Sequence, residues 1–436
     1  MSGTTDQPSP TTSTGLPLPP RWYRWIVLVF ISLAMFGNYY VYDSISPLAD
    51  VLKAQLGFSD SSIGLLNAIY SIPNVFMVLI GGMVIDRIGT KKSTLIFAVL
   101  CFLGAVLTMA TGTLEVMAAG RLVFGLGAES LIVAVTTAIA RWFRGKELSF
   151  AFGVNLTIAR LGSFAALNSP SWATSYYEHW RLPLLISVVF GVICVAGAIL
   201  YWILEGNAAR RYTLIQAGQT DKVDWGTIFK FSTSYWYIVA LCITFYSGIF
   251  PFQTFAVKFF IEAHGTTREL GGFLSSMLTL FAMVATPLFG LLVDRVGKRA
   301  LLMMFGSILL MPVYLMMAYT HISLYVPMAM MGVAFSLIPA VMWPSVAYIV
   351  DQSKLGTAYG LMTMIQNIGL AGFNLLIGWA NDYSSASAQN PAGYALGMLI
   401  FSCLGFLGFV FAFLLRKSET GPGAHGLETI TTVSTA

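Results

Sequence analysis

Twelve runs of apolar residues, near 23–46, 62–85, 93–111, 116–140, 149–172, 183–204, 234–261, 270–293, 300–320, 323–349, 355–380 and 391–415, leave this chain few ways to fold. Each is long enough to cross a hydrocarbon core roughly 30 Å thick, which takes about 20 helical residues. The spacing predicts an all-α membrane protein of twelve transmembrane helices. Composition agrees, since 57% of the 436 residues are hydrophobic and only 10% are charged, too few to keep a soluble chain of this length dispersed. The net charge of +5 is spread in short clusters between the apolar runs and forms no basic stripe with interleaved aromatics, so a nucleic-acid partner is not expected. Cys101, Cys194, Cys242 and Cys403 each lie inside an apolar run without CxxC spacing or a neighbouring His, and read as packing residues.

The segments between the runs set the organisation. Residues 1–20 are polar and lack an apolar signal core, so this tail is expected to be disordered and the first helix to act as its own insertion signal. The longest polar stretch between runs, 205–230, reads as a linker joining six-helix halves at 21–204 and 231–415, and 416–436 reads as a second disordered tail. Basic residues concentrate on the cytosolic side of membrane proteins. One set of loops and tails holds eighteen Lys and Arg, including Arg87, Lys91, Lys92, Arg141, Arg210, Arg295, Lys298 and Arg416, against Lys53, Arg181 and Arg268 in the opposite set. Both termini are therefore expected in the cytosol. Arg121, Arg160 and Lys258 fall within spans.

Two of the basic loops repeat each other. Gly82, Asp86, Arg87 and Gly89 recur as Gly290, Asp294, Arg295 and Gly297, every one displaced by 208 residues. A second echo, Ala151, Gly153 and Gly162 against Ala358, Gly360 and Gly369, has an offset of 207. Two echoes at nearly one period indicate a duplicated bundle. Gly allows helices to approach, Asp can pair with basic residues or a helix N-terminus, and the pattern suits a gate between halves; the bland alternative is a pair of topology anchors.

The motif GxxxDRxG followed by basic residues, present in both halves, resembles the signature loop of the major facilitator superfamily. A narrower likeness covers nearly the whole membrane region: Tyr42 and Asp43; Gly120, Arg121, Gly125, Gly127, Glu129 and Ser130; Trp142 with Glu147 and Leu148; Ala159, Arg160, Gly162 and Ser163; Phe250, Pro251 and Phe252; Trp343 and Pro344; and Leu355 through Gly360 with Ile365, Gln366 and Asn367. These are similar to the lysosomal dipeptide transporter branch of that superfamily. The resemblance implies two pseudo-symmetric six-helix bundles, uniport of a dipeptide without obligatory proton coupling, and, in animal members, a glycosylated accessory protein. It also implies that Glu129 and Arg160 bind the two ends of the dipeptide and that Trp343 lines the site. Residues 1–20 contain no acidic dileucine signal, and the one N-x-S/T site, Asn155 to Thr157, lies inside a helix, so a prokaryotic plasma membrane is the favoured location and an endolysosomal membrane the alternative.

The residues point the same way. An ionisable group near the bilayer centre costs at least about 2.5 kcal/mol and faces a partner or a wet cavity. Glu129 and Arg160 lie equally far from the midpoint of the helix four to five hairpin, at a depth of roughly 18 Å from its loop. A carboxylate and a planar guanidinium at one depth suit the ammonium and carboxylate of a zwitterion; a permanent Glu129–Arg160 salt bridge is the structural alternative. Asn367, at the position equivalent to Arg160, joins Gln366, Trp343 and Tyr348 as neutral hydrogen-bonding and aromatic candidates, and Tyr39 comes from the polar run that ends at Asp43. Asp43 reads as an outer-gate contact or a helix end. Arg121 and Lys258 read as long side chains snorkelling toward the outer surface. His179, His264, His321 and His425 all sit in loops, tails or their edges, and no Walker, HExxH or GxSxG motif is present. The expectation is a transporter without cofactor or metal, working on a small molecule. A proton-coupled carrier of another small organic ion and a nutrient receptor or scaffold are the competing readings.

Overall fold

The computed structural model describes residues 17, 19–143, 147–212, 231–351 and 354–431. Twelve long helices carry the fold: α1 (Arg21–Asp43), α2 (Asp60–Ile88), α3 (Thr90–Ala110), α4 (Leu114–Phe143), α5 (Leu148–Leu167), α6 (Arg181–Arg211), α7 (Thr233–His264), α8 (Arg268–Val296), α9 (Arg299–Tyr319), α10 (Tyr325–Ile349), α11 (Leu355–Tyr383) and α12 (Ala395–Glu419). Among the described residues eleven helices are long and apolar enough to span a membrane, and twelve if α2 is counted as one span with a 55° bend between Asp60–Met77 and Ile80–Ile88. Helices are the solution because lipid offers the backbone no hydrogen-bond partner, so each segment must satisfy its own. Phe76, Val189, Val192, Leu288 and Leu291 are exposed on the outside, as a lipid-facing surface requires. The buried apolar residues fall into two clusters, one running through α1 to α6, the other through α7 to α12 and taking in the connection from Ile45 to Phe58 and the adjoining ends of α2, α4 and α6.

The duplication is written into the backbone as well as the loops. Ser59 caps α2 by accepting from Ser62 N, and Thr267, 208 residues later, caps α8 by accepting from Leu270 N. Gly89 (φ 83°) and Gly297 (φ 67°) end α2 and α8 with conformations that a side chain resists. This gives the last glycine of each motif its physical reason.

Three expectations need revision. Glu205 to Arg211 belong to α6, which runs past the predicted end of the sixth span, while 213–230 of the linker lie outside the described residues. Residues 416–431 are ordered, since Arg416 to Glu419 complete α12 and Glu428 accepts hydrogen bonds from Ala300 N (2.8 Å) and Leu301 N (3.3 Å). Gly290 does not make the expected close approach, because a Cβ there would meet nothing within 4 Å. In the first half Gly81 makes a close approach, since its Cβ would stand 2.7 Å from Ser130 Oγ. Most of residues 1–20 lie outside the described residues, as do Arg144, Lys146, Lys222 and Lys230.

The polar contacts that join the halves cluster at the end opposite the repeated loops. Lys258 Nζ reaches Asp60 Oδ2 at 2.8 Å with neither side chain exposed. Arg268 clamps Asp50 with two bonds of 2.6 Å. Asp382, at the end of α11, accepts from Asp60 N (2.8 Å) and Ser61 N (2.7 Å), so a carboxylate of one half caps a helix of the other. Lys53 Nζ donates to Ala386 O at 3.2 Å, and Ser46 Oγ to Gln253 O. We call this the closed end, and the end carrying the repeated loops the motif end.

Candidate functional site

Between the halves lies a cavity of ≈ 270 Å³ to which eight helices contribute side chains. Its composition follows from helical phase. On α1, Asn38, Tyr39, Tyr42 and Asp43 share one face; on α5, Arg160 and Ser163 are one turn apart; on α11, Thr363, Gln366 and Leu370 make a single stripe. Glu129 enters from α4, Tyr70 from α2, Tyr246, Phe250 and Gln253 from α7, Thr279 from α8 and Trp343 from α10.

The charged groups all come from the first half. Glu129 Oε1 accepts from the Tyr70 hydroxyl at 3.3 Å. The Arg160 guanidinium lies over the Tyr39 ring (5.6 Å) and over the Phe335 ring of the second half (5.3 Å). Among the described residues no ion pair joins Glu129 to Arg160, so the two charges face the same space without being spent on each other. Asp43, the last residue of α1, is a third charge in the same wall. The second half supplies neutral groups: Trp343 Nε1 donates to the Tyr246 hydroxyl at 2.9 Å, the Tyr359 hydroxyl donates to Trp343 O at 3.0 Å, and Tyr246 stacks on Phe250. Tyr42 meets Phe250 edge to face across the halves, at 6.3 Å.

Of the expected binding residues, Glu129, Arg160, Trp343, Gln366 and Tyr39 therefore line one cavity, with Asp43 beside them. Asn367 does not. It is buried against its own helix, with Nδ2 donating to Thr363 O at 3.0 Å, because it stands about 100° around α11 from Gln366. Tyr348 is also elsewhere, five residues and about 140° from Trp343. Its hydroxyl accepts from Arg299 Nη2 at the motif end.

Two intramembrane cations expected to snorkel are buried instead. Arg121 is 1% exposed and donates to Leu66 O, Val41 O, Tyr42 O and Asn67 Oδ1, so it ties the end of α1 to α2, with Val41 O also accepting from Ser44 Oγ at 2.8 Å. Lys258 forms the closed-end contact and also reaches the Tyr394 hydroxyl (2.8 Å) and Glu262 (3.3 Å). At the motif end Arg87, Arg295, Asp86 and Asp294 are exposed, and Asp294 pairs with Arg299 at 3.8 Å. Gly82 is buried at this end of α2. Sequence reading passed over Tyr70, Tyr246, Gln253, Thr279 and Thr363. For Thr363 the signal was present, since it lies one turn before Gln366.

A cleft between two six-helix bundles, with charges in one and neutral groups in the other, is the arrangement of a carrier. The model of the Major Facilitator Superfamily matches residues 31–371 and 252–432. The chain belongs to that superfamily. Among its relatives in the superfamily, the lysosomal dipeptide transporter MFSD1 of Danio rerio is 32% identical over 419 residues, covering 92% of this chain and 88% of the relative. The protein of the same name from Homo sapiens is 32% identical over 437 residues, covering 95% and 92%. In structure the chain is similar to a mutant form of the nucleoside transporter NupG, with a TM-score of 0.73 at 16% identity over 90% of this chain and 99% of that one. This superfamily member is a multi-pass membrane transporter and not an enzyme.

Proposed function

We propose that the protein is a dipeptide uniporter that alternates access to the central cavity, with Glu129 receiving the substrate ammonium and Arg160 its carboxylate. The observation that carries this reading is the placement of both charges in one cavity without an ion pair between them. A zwitterion offers an ammonium to Glu129 and a carboxylate to Arg160, and a charge-assisted bond to each end is stronger than a neutral one. The neutral wall of Gln366, Gln253, Thr279 and Thr363 suits a peptide unit, and Trp343, Tyr246 and Phe250 suit varied side chains. The names of the curated relatives support the substrate class.

The excess of Lys and Arg on the motif-end loops supports cytosolic termini. In a prokaryotic plasma membrane, the expected location, the closed end faces outward and the cavity is poised to exchange with the cytosol. The repeated loops, with Asp86, Arg87, Asp294 and Arg295, would then form the inner gate, and Asp43 with Tyr42 the roof of the site.

The test is counterflow of a labelled dipeptide in proteoliposomes, with and without a pH gradient. Equal counterflow in both is expected, and unloaded vesicles should take up dipeptide no higher than the external concentration; gradient-driven accumulation in unloaded vesicles would overturn uniport. Asp43 in the cavity wall favours a second reading, in which a proton travels with a small organic ion, and accumulation abolished by Asp43→Asn would support it.

A further inference from the structure

Each half must move as one body if the cavity is to open alternately at its two ends, so the helix ends within a half need ties. In the first half the tie is Glu205 of α6. It accepts from Thr90 Oγ1 at the start of α3 (3.2 Å), pairs with Arg141 of α4 (2.9 Å) and takes the Tyr201 hydroxyl. One buried carboxylate thus joins three helices just behind the repeated loop. The equivalent positions in the second half, 412 and 413, are Ala412 and Phe413, and neither can do this.

The second half makes the tie with its C-terminal segment. Glu428 Oε1 accepts from Ala300 N (2.8 Å) and Leu301 N (3.3 Å), the free amides at the start of α9, and its other oxygen lies 3.9 Å from Arg416 of α12. Backbone bonds run alongside, from Lys298 N to Glu428 O (3.3 Å) and from Arg299 N to Leu427 O (3.1 Å). Arg299 donates to Ile430 O (2.7 Å) while its guanidinium lies 4.3 Å from the Tyr348 ring of α10. The segment is anchored at its start as well, since Glu419 accepts from His425 N (2.8 Å) and from Ser234 Oγ at the start of α7 (2.6 Å). Leu427 is fully buried. The two glycines of the repeat register the difference. A Cβ on Gly297 would meet Thr431, Ile430 and Glu428 at 3.2 to 3.4 Å, whereas one on Gly89 would meet nothing within 4 Å.

We propose that residues 420–431 are a permanent brace of the second half, in which Glu428 takes the role that Glu205 plays in the first. The brace ties the inner ends of α8, α9, α10 and α12 and stays docked through the whole transport cycle. It is a part of the moving body and not an inhibitory plug.

Hydrogen exchange on the full-length protein in lipid nanodiscs tests the tie without reference to the substrate. Glu428→Ala is expected to speed exchange at the amides of Ala300 and Leu301 at least tenfold. Glu428→Gln, which keeps an acceptor, should stay within threefold of wild type, and Glu205→Ala should speed exchange near Thr90 and leave 300–301 unchanged. Unchanged exchange at 300–301 in Glu428→Ala would overturn the brace. Permanence is tested with Glu428→Cys and Leu301→Cys joined by a short bifunctional reagent, in a background where the exposed Cys403 is replaced by Ser. Counterflow within twofold of the uncrosslinked protein is expected. A tenfold arrest on crosslinking, or a rise in transport on deleting 420–436, would show a segment that must leave and would overturn the proposal. If neither protein moves dipeptide, the substrate reading fails and the exchange result still decides the brace.

Discussion

Lys258 of α7 and Asp60 of α2 meet at 2.8 Å across the two halves, and neither side chain is exposed. Removing one partner of such a pair leaves an uncompensated buried charge, which costs about 3–5 kcal/mol. Because the pair exists only while this end is shut, that cost falls on the closed state. Lys258→Ala or Asp60→Asn is therefore expected to shift the protein toward the state open at this end. Reaction of a cysteine placed at Ser163 with a membrane-impermeant maleimide, added from the side of the closed end, should rise at least tenfold. The double variant Lys258→Met with Asp60→Leu should return it part of the way toward wild type, since the charges facing each other across the halves are both gone while Glu262, 3.3 Å from Lys258, still loses its cation. A single variant that labels no faster than wild type would show that the pair is not a latch.

Arg160 is expected to fail every substitution, Lys included. A planar fork lying over Tyr39 and Phe335 is preorganised for a carboxylate, whereas an ammonium at the same place is a point charge on a flexible stem. Loss of a charged hydrogen bond costs about 1.5–3 kcal/mol. Arg160→Ala should thus weaken dipeptide binding by roughly 10- to 150-fold, with Arg160→Lys between it and wild type, and Glu129→Gln should show a comparable loss. Isothermal titration with a dipeptide and with its N-acetylated form is the check. The acetylated form should bind wild type as weakly as the free dipeptide binds Glu129→Gln. Unchanged affinity in Arg160→Ala would remove the binding model.

How far the sequence led depends on the range of the interaction. The spans, the duplication and the meeting of Glu129 and Arg160 in one cavity follow from hydropathy and spacing along the chain, so they were legible. The closed-end lock was not, because Lys258 and Asp60 lie 198 residues apart and each alone looks like an ordinary charge near a span end. Asn367 was misread because equivalence by offset ignores helical phase; Thr363 and Gln366 share the cavity stripe while Asn367 turns into α11. Arg121 was misread for a similar reason. Nothing in its own neighbourhood announces that α1 ends beside it with the Val41 and Tyr42 carbonyls in reach.

Arg121 then carries a prediction opposite to that for Arg160. It makes four hydrogen bonds to α1 and α2 from a site 1% exposed, so its loss takes the donor from Tyr42 O and Asn67 Oδ1 inside the first bundle. Arg121→Met should destabilise the protein by about 3 kcal/mol or more, and Arg121→Lys should recover little, because one ammonium cannot reach four acceptors in the same plane. Thermal melting followed by size-exclusion should show a large drop in midpoint for both. The folded fraction at low temperature should still bind substrate with near wild-type affinity. A melting point within a degree of wild type would show that these bonds do not hold the helices together.

Glycine substitutions separate folding from gating. A Cβ at Gly104 would fall 2.5 Å from Phe124 N, and both residues lie in the first half, so Gly104→Ala strains the bundle in every state. A Cβ at Gly64 would fall 2.4 Å from Asn374 O, and one at Gly378 2.5 Å from Asp60 O, but these contacts cross from α2 to α11. Overlap with backbone cannot be relieved by turning a side chain, so the halves must part at this end. Gly64→Ala and Gly378→Ala should therefore keep a melting point near wild type while losing the closed-end-shut population. Spin labels at Ser59 and Ser384, at the facing ends of α2 and α11, should report longer distances for these two variants and an unchanged distance for Gly104→Ala. If all three variants lower stability alike and none shifts the distance, the α2–α11 contact is part of a fixed core, and the halves must open elsewhere.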